Sequence, residues 1–286
     1  MVKGRHGKPQ PKKGGFGSVL ANRPTVTSDE PIFTRAPEAH CTDSPLLLTL
    51  LFRDKASQHS ALARIEAFYE SNTVEGNQYL TIDQAKSQKL CPNYEAFNFP
   101  ISAVNEWLLQ MKKCKDSMFA FPPQDEKESI DEIIAEQWWK VHCNEEEVKL
   151  LSYLDTMGCL EDLTTNSDFT SKSSNAPQYL ISSLASQATS SLPHERLHFL
   201  YFASKEYRDF VENMYKSLSN KTRKIIEIDL GMRGYAKHVW QDEFQAYVSL
   251  NAAEFGNSTK QECTSLKQDL QEKQLLIWKQ VAAMSV

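Results

Sequence analysis

One pentapeptide, His194-Glu195-Arg196-Leu197-His198, combines residue types and a spacing that could do chemistry. Histidines four apart on a helix project from one face, one above the other, so two imidazole nitrogens can be aimed at a single ion. Glu195 then points beside that face, where its carboxylate reaches water on the ion without ligating it. A catalytic zinc takes three protein ligands and keeps a fourth position open, and His, His, Glu is one established set. Glu243, 45 positions beyond His198, is the candidate third ligand on a second helical stretch. Its neighbour Asp242 is placed either to cap that helix or to accept a hydrogen bond from a ligating imidazole. Tyr247, one turn after Glu243, shares its face and could donate to a developing oxyanion. Tyr235 and His238 are alternatives in that role; His238 could also replace Glu243 as a ligand, but it reads first as an exposed histidine flanking the helix.

These residues need elements to hold them. Tyr179-Leu180-Ile181 reads as a short strand ahead of the motif, expected to offer an exposed edge, and Ser190 or Ser191 is placed to cap a helix entered through Pro193. The apolar Phe199-Leu200-Tyr201-Phe202 that follows embeds this helix. Elsewhere Leu62, Ile65 and Tyr69 share one helical face, and Val104, Trp107, Leu108 and Met111 share another. Phe97-Asn98-Phe99-Pro100 reads as loop, with Pro100 opening the second of these helices. A third helical region is expected over 129–154, where Glu145-Glu146-Glu147 is a solvated face sooner than a cation site. Residues 158–177 have the composition of a long loop or lid. Phe210, Met214 and Leu218 share a face, Gly231 is the expected stop after Leu230, and 259–283 reads as a closing helix. The fold class is therefore α+β and predominantly α-helical, with a small sheet beside the motif helix.

Length and composition set the frame. With 286 residues, 41% hydrophobic and 24% charged, the chain reads as one sizeable domain, 41–286, with the metal site inside 179–250 and an arm over 1–40. No apolar run approaches a membrane span. Lys3, Arg5, Lys8, Lys12, Lys13 and Arg23 all precede the first acid, Asp29, so this basic arm could touch a polyanion. Since the whole chain is −5 and the arm +6, the body carries −11, which argues against a nucleic-acid-binding surface on it. The arm lacks the periodicity needed for a core and is expected to be disordered. No secretory apolar segment follows Met1, and the six cysteines include no CxxC pair, so reduced thiols in a cytoplasmic or nuclear protein are expected. A Gly-rich phosphate loop after a strand and a GxSxG elbow are both missing.

The HExxH sequence together with Glu243-Phe244-Gln245-Ala246-Tyr247 resembles the gluzincins, zinc metallopeptidases whose motif helix supplies two histidines and whose later helix supplies a glutamate. The resemblance covers residues 179–250 and departs from the pattern at Tyr247, where aspartate is common, and at the charged Arg196. It implies a zincin-like core, His194, His198 and Glu243 as Zn2+ ligands, Glu195 as general base, and a peptide or protein substrate. The rival readings are a catalytically inactive zincin-like protein and a helical binding or scaffold module in which the motif is accidental.

Overall fold

The computed structural model describes residues 31–36, 44–71, 77–118, 138–161 and 176–283. Its centre is a four-stranded mixed sheet of β1 (Phe33–Arg35), β2 (Leu47–Phe52), β3 (Ala96–Pro100) and β4 (Tyr179–Leu184), in the order β1-β2-β4-β3. β2 and β4 run parallel, with Leu47 opposite Tyr179 and Phe52 opposite Leu184, while β1 and β3 lie antiparallel on the two flanks.

The apolar run of β2 suits a strand buried on both faces. Its side chains alternate between two cores, as the two-residue period of a strand requires. Leu48, Leu50 and Phe52 pack with α1 (Lys55–Glu70), α3 (Ile101–Met118) and α4 (Glu145–Thr156), around Leu62, Ile65, Trp107 and Leu151. Leu47 and Leu51 face a second core with α5 (Ala188–Ala203), α6 (Lys205–Ser217), α7 (Asn220–Arg233), α8 (Trp240–Leu250) and α9 (Asn257–Ala283), around Phe199, Tyr207, Ile226 and Phe244. A short α2 (Ile82–Lys86) carries a full capping box between Thr81 and Gln84. The molecule is mostly helical with a small sheet, as its composition and periodicity imply. No helix among the described residues is long and apolar enough to cross a membrane.

Several local expectations are corrected. β4 is an interior strand paired on both sides, and the edge beside the motif helix is β3, formed by the stretch read as loop. Phe97 and Phe99 are buried against the first core, and that burial pulls the segment into the sheet. Phe33–Arg35, inside the stretch read as an arm, pairs with β2, so that part of the arm belongs to the sheet. Residues 1–30, which hold the basic cluster, lie outside the described residues, as do most of the 158–177 loop and positions 129–137 of the third helical region. The described part of that region breaks into a 3₁₀ turn, Trp138–His142, and α4. Neither Ser190 nor Ser191 caps α5: the helix starts at Ala188, Pro193 lies inside it, and both serine hydroxyls donate to the Gln187 carbonyl. α7 runs through Gly231, against which Trp240 packs, and stops at Gly234, whose φ of 102° is the left-handed conformation that ends a helix.

Glu147, expected on a solvated face, is fully buried. It closes a capping box with Asn144 and receives Arg64 Nη1 at 2.9 Å. The same guanidinium donates to the Leu80 and His142 carbonyls and the Tyr79 hydroxyl, and lies 5.0 Å from the Trp107 ring centre. One buried ion pair thus ties α1, α4 and the chain before α2 together. Removing one partner of such a pair leaves an uncompensated buried charge, so Arg64→Ala should cost about 3–5 kcal/mol in urea unfolding. Arg64→Met combined with Glu147→Leu should cost less than Arg64→Ala alone.

Candidate metal centre

The site is assembled where α5, α8 and the edge strand β3 meet the C-terminal half of α1. α5 follows β4 after only three residues, so the motif helix is fixed directly to the centre of the sheet. Its four-residue spacing places His194 and His198 with ring centres 4.8 Å apart on the face that meets α8. α8 presents Glu243 to both rings. Glu243 Oε1 lies 3.6 Å from His198 Nε2, and Oε2 lies 3.8 Å from His194 Nε2.

Those separations are too long for hydrogen bonds. They are close to the roughly 3.3 Å between neighbouring ligand atoms in a tetrahedral site with bonds near 2 Å. One ligand atom from each of the three residues falls within 4.8 Å of the others, so the group could hold a metal ion. The polar atoms themselves supply a second observation. His198 Nε2 and Glu243 Oε2 are buried without a hydrogen-bond partner, an arrangement that costs stability unless something else occupies the space between them. A metal ion in that space, coordinated by both atoms, would remove that cost.

His198 is oriented from behind. Its Nδ1 lies 2.9 Å from Asp242 Oδ1 and donates to it, which turns Nε2 toward Glu243. Of the two roles open to Asp242, the structure therefore supports the imidazole acceptor; its hydrogen bond from Gln245 Nε2 holds it in place. Burial opposes a charge on His198, but Asp242 and Glu243 outweigh it and raise the pKa well above that of a free imidazole, so an ion bound at Nε2 would displace a proton there. At His194 burial, with His198 beside it, wins and holds the pKa down to about 4, leaving a neutral ring with a free lone pair.

Glu195 lies beside the cluster. Its Oε2 accepts a 2.9 Å hydrogen bond from Asn98 Nδ2, and the Asn98 Oδ1 in turn accepts the Tyr179 hydroxyl at 2.6 Å. β3 and β4 together thus aim the carboxylate of a helix residue. Burial raises the Glu195 pKa and strengthens it as a base, with the two histidines pulling the other way. Tyr247 has its ring centre 4.6 Å from that of His194, and its hydroxyl is 3.0 Å from the Tyr235 hydroxyl, which lies against the Glu243 carboxyl. His238 is not in the cluster. It is exposed and stacks edge-on against Tyr69.

His194, Glu195, Tyr235, Glu243 and Tyr247 line a cleft of about 260 Å³ whose lining also includes Glu66, Glu70, Tyr94 and Asn98. Sequence reasoning missed these four. The signal for the acids was present: Leu62, Glu66 and Glu70 recur every fourth residue, which sets two carboxylates on the apolar face of α1. For Asn98 it was the alternation Phe97-Asn98-Phe99, the pattern of a strand.

Asp242→Asn keeps the shape but weakens the orientation of His198, and should lower metal affinity about 10–100-fold in a chelator competition titration. His198→Ala should abolish stoichiometric metal. Chelation of the wild-type chain should lower its melting temperature, because an ion held at 100 times its Kd stabilises the fold by about 2.7 kcal/mol. No protein-family model, curated protein or solved structure matches the chain.

Proposed function

We propose that the chain is a zinc-dependent hydrolase, a metallopeptidase with a zincin-like core of the gluzincin type. The observation that carries this reading is the meeting of His194, His198 and Glu243 around two unpartnered buried atoms, with Glu195 held beside them by Asn98. Two nitrogens and one oxygen form a donor set suited to zinc, and the two alkaline-earth ions prefer all-oxygen sites. A binding module has no need of a carboxylate positioned next to the ligand set, so the Asn98–Glu195 hydrogen bond favours hydrolysis over a scaffold role.

Zinc, when bound, supplies Lewis acidity toward a water and a substrate carbonyl. The chain's own residues do the rest. Glu195 takes the proton from the attacking water and returns it to the leaving amine. Asn98, locked by Tyr179, fixes one Glu195 oxygen and leaves the other free to act. Tyr247, whose hydroxyl oxygen can accept from Tyr235, donates its own proton to the oxyanion as it forms. β3 pairs only with β4 among the described residues, and its Ala96 and Asn98 line the cleft, so an extended peptide can lie along its free edge by main-chain hydrogen bonds. A cytoplasmic or nuclear location and a polyanion contact through the basic arm are carried by sequence alone.

Glu195→Gln should retain about one zinc per chain and lose about 10²–10⁴-fold in hydrolysis of a mixed peptide library read by mass spectrometry. Wild-type protein that stays metal-free after zinc-replete purification, or a Glu195→Gln variant as active as wild type, would overturn the proposal.

A further inference from the structure

The side chains behind Asp242 form a buried polar file through the second core. Gln274 Nε2, on α9, donates to the Tyr207 hydroxyl and to Ser249 Oγ, at 2.7 Å each. Tyr207, on α6, donates onward to Gln245 Oε1 at 2.8 Å, and Gln245 Nε2 donates to Asp242 Oδ1 at 2.9 Å. The same Asp242 oxygen receives His198 Nδ1, so the file ends on the imidazole. Tyr207, Gln245 and Gln274 are all buried, in a core otherwise built from residues such as Phe199, Val211 and Phe244. Placing two amides and a phenol there costs desolvation that apolar side chains of the same size avoid, and the hydrogen bonds offset it only while every link is made.

Donor and acceptor types run the file in one direction. An ionised carboxylate only accepts, so Gln245 turns Nε2 to Asp242 and leaves Oε1 facing Tyr207. Oε1 also only accepts, so the Tyr207 proton points at it, and Gln274 holds that proton in place by donating to the Tyr207 oxygen from the other side. Asp242 has an alternative to this arrangement. Its side chain also borders a second cavity, of about 310 Å³, with Tyr69, Tyr201 and Arg208 in its walls. We infer that Gln245, Tyr207 and Gln274 are positioning residues for the metal centre, a relay from α9 that keeps Asp242 turned onto His198 and away from that cavity. This rests on the metal reading of His194, His198 and Glu243. It makes the C-terminal helix, which brings no residue to the lining of the cleft, part of what holds the ion.

Zinc affinity of the full chain, measured by chelator competition, tests the relay without reference to turnover. Gln245→Met, Tyr207→Phe and Gln274→Met each break one link at nearly constant volume, and each should weaken zinc binding about 3–10-fold, less than the loss expected for Asp242→Asn, which bonds to the ligand directly. Ile277→Val lies in the same core and on the same helix as Gln274 but outside the relay. It lowers the melting temperature and should leave zinc affinity unchanged, which separates positioning from general loss of stability. In an Asp242→Asn background, Tyr207→Phe and Gln274→Met should add little further loss, because the link they act through is already weakened. Unchanged zinc affinity in the folded relay variants, an equal loss in Ile277→Val, or losses that simply add in the Asp242→Asn background would overturn the relay. Wild-type protein that binds no zinc overturns the metal reading and the relay with it, whereas zinc held equally by wild type and the relay variants overturns the relay alone.

Discussion

Burying ionisable groups is costly unless each finds a partner, and that constraint organises the half of the molecule that holds the cleft. His198 is 1% exposed and Glu243 2%, yet each keeps one polar atom without a hydrogen bond. Their other atoms are tied down: Asp242 holds the far side of His198, and Tyr235 lies against Glu243. The two unpartnered atoms point into the same small space, where His194 brings a neutral ring. An ion between such atoms would stabilise the fold, and under the proposed function it is the ion whose water Glu195 would act upon.

The sheet is the device that makes this arrangement rigid. β4 lies at its centre and leads into the motif helix after a three-residue turn, so the position of His194 is set by the strand register. β3, on the edge, carries Asn98 and through it fixes Glu195. α8 is packed against α5 by the second core, around Phe199, Phe244 and Val248, which brings Glu243 across 45 residues of sequence. The buried Arg64–Glu147 pair acts on the opposite face, where it anchors the α1 helix that delivers Glu66 and Glu70 to the cleft.

Much of this was legible in the chain. The histidine spacing predicts one face of one helix, and the Asp242-Glu243 pair supplies a carboxylate of each needed kind, one facing the ligand set and one behind it. Amphipathic periodicity places α1, α3 and α9 correctly. Less was legible where long-range packing overrides local signals. Phe97-Asn98-Phe99-Pro100 carries a proline and follows a turn, so it reads as loop until the sheet supplies partners for its backbone. The three apolar residues Tyr179-Leu180-Ile181 show a strand but cannot show which side of it is covered. Ser190 and Ser191 look like caps because serine caps helices, but β4 feeds the helix earlier and turns them into interior residues. Gly231 reads as a stop, but the helix runs through it to Gly234, where the backbone turns left-handed.

The central claim, that His194, His198 and Glu243 hold one zinc, is tested most directly by X-ray absorption at the zinc edge on the full chain. The account predicts a nitrogen and oxygen shell at about 2.0 Å, with the outer scattering of two imidazoles that disappears in part in His194→Ala. A metal-free protein, or a shell dominated by sulfur at about 2.3 Å from cysteine ligands, would contradict it.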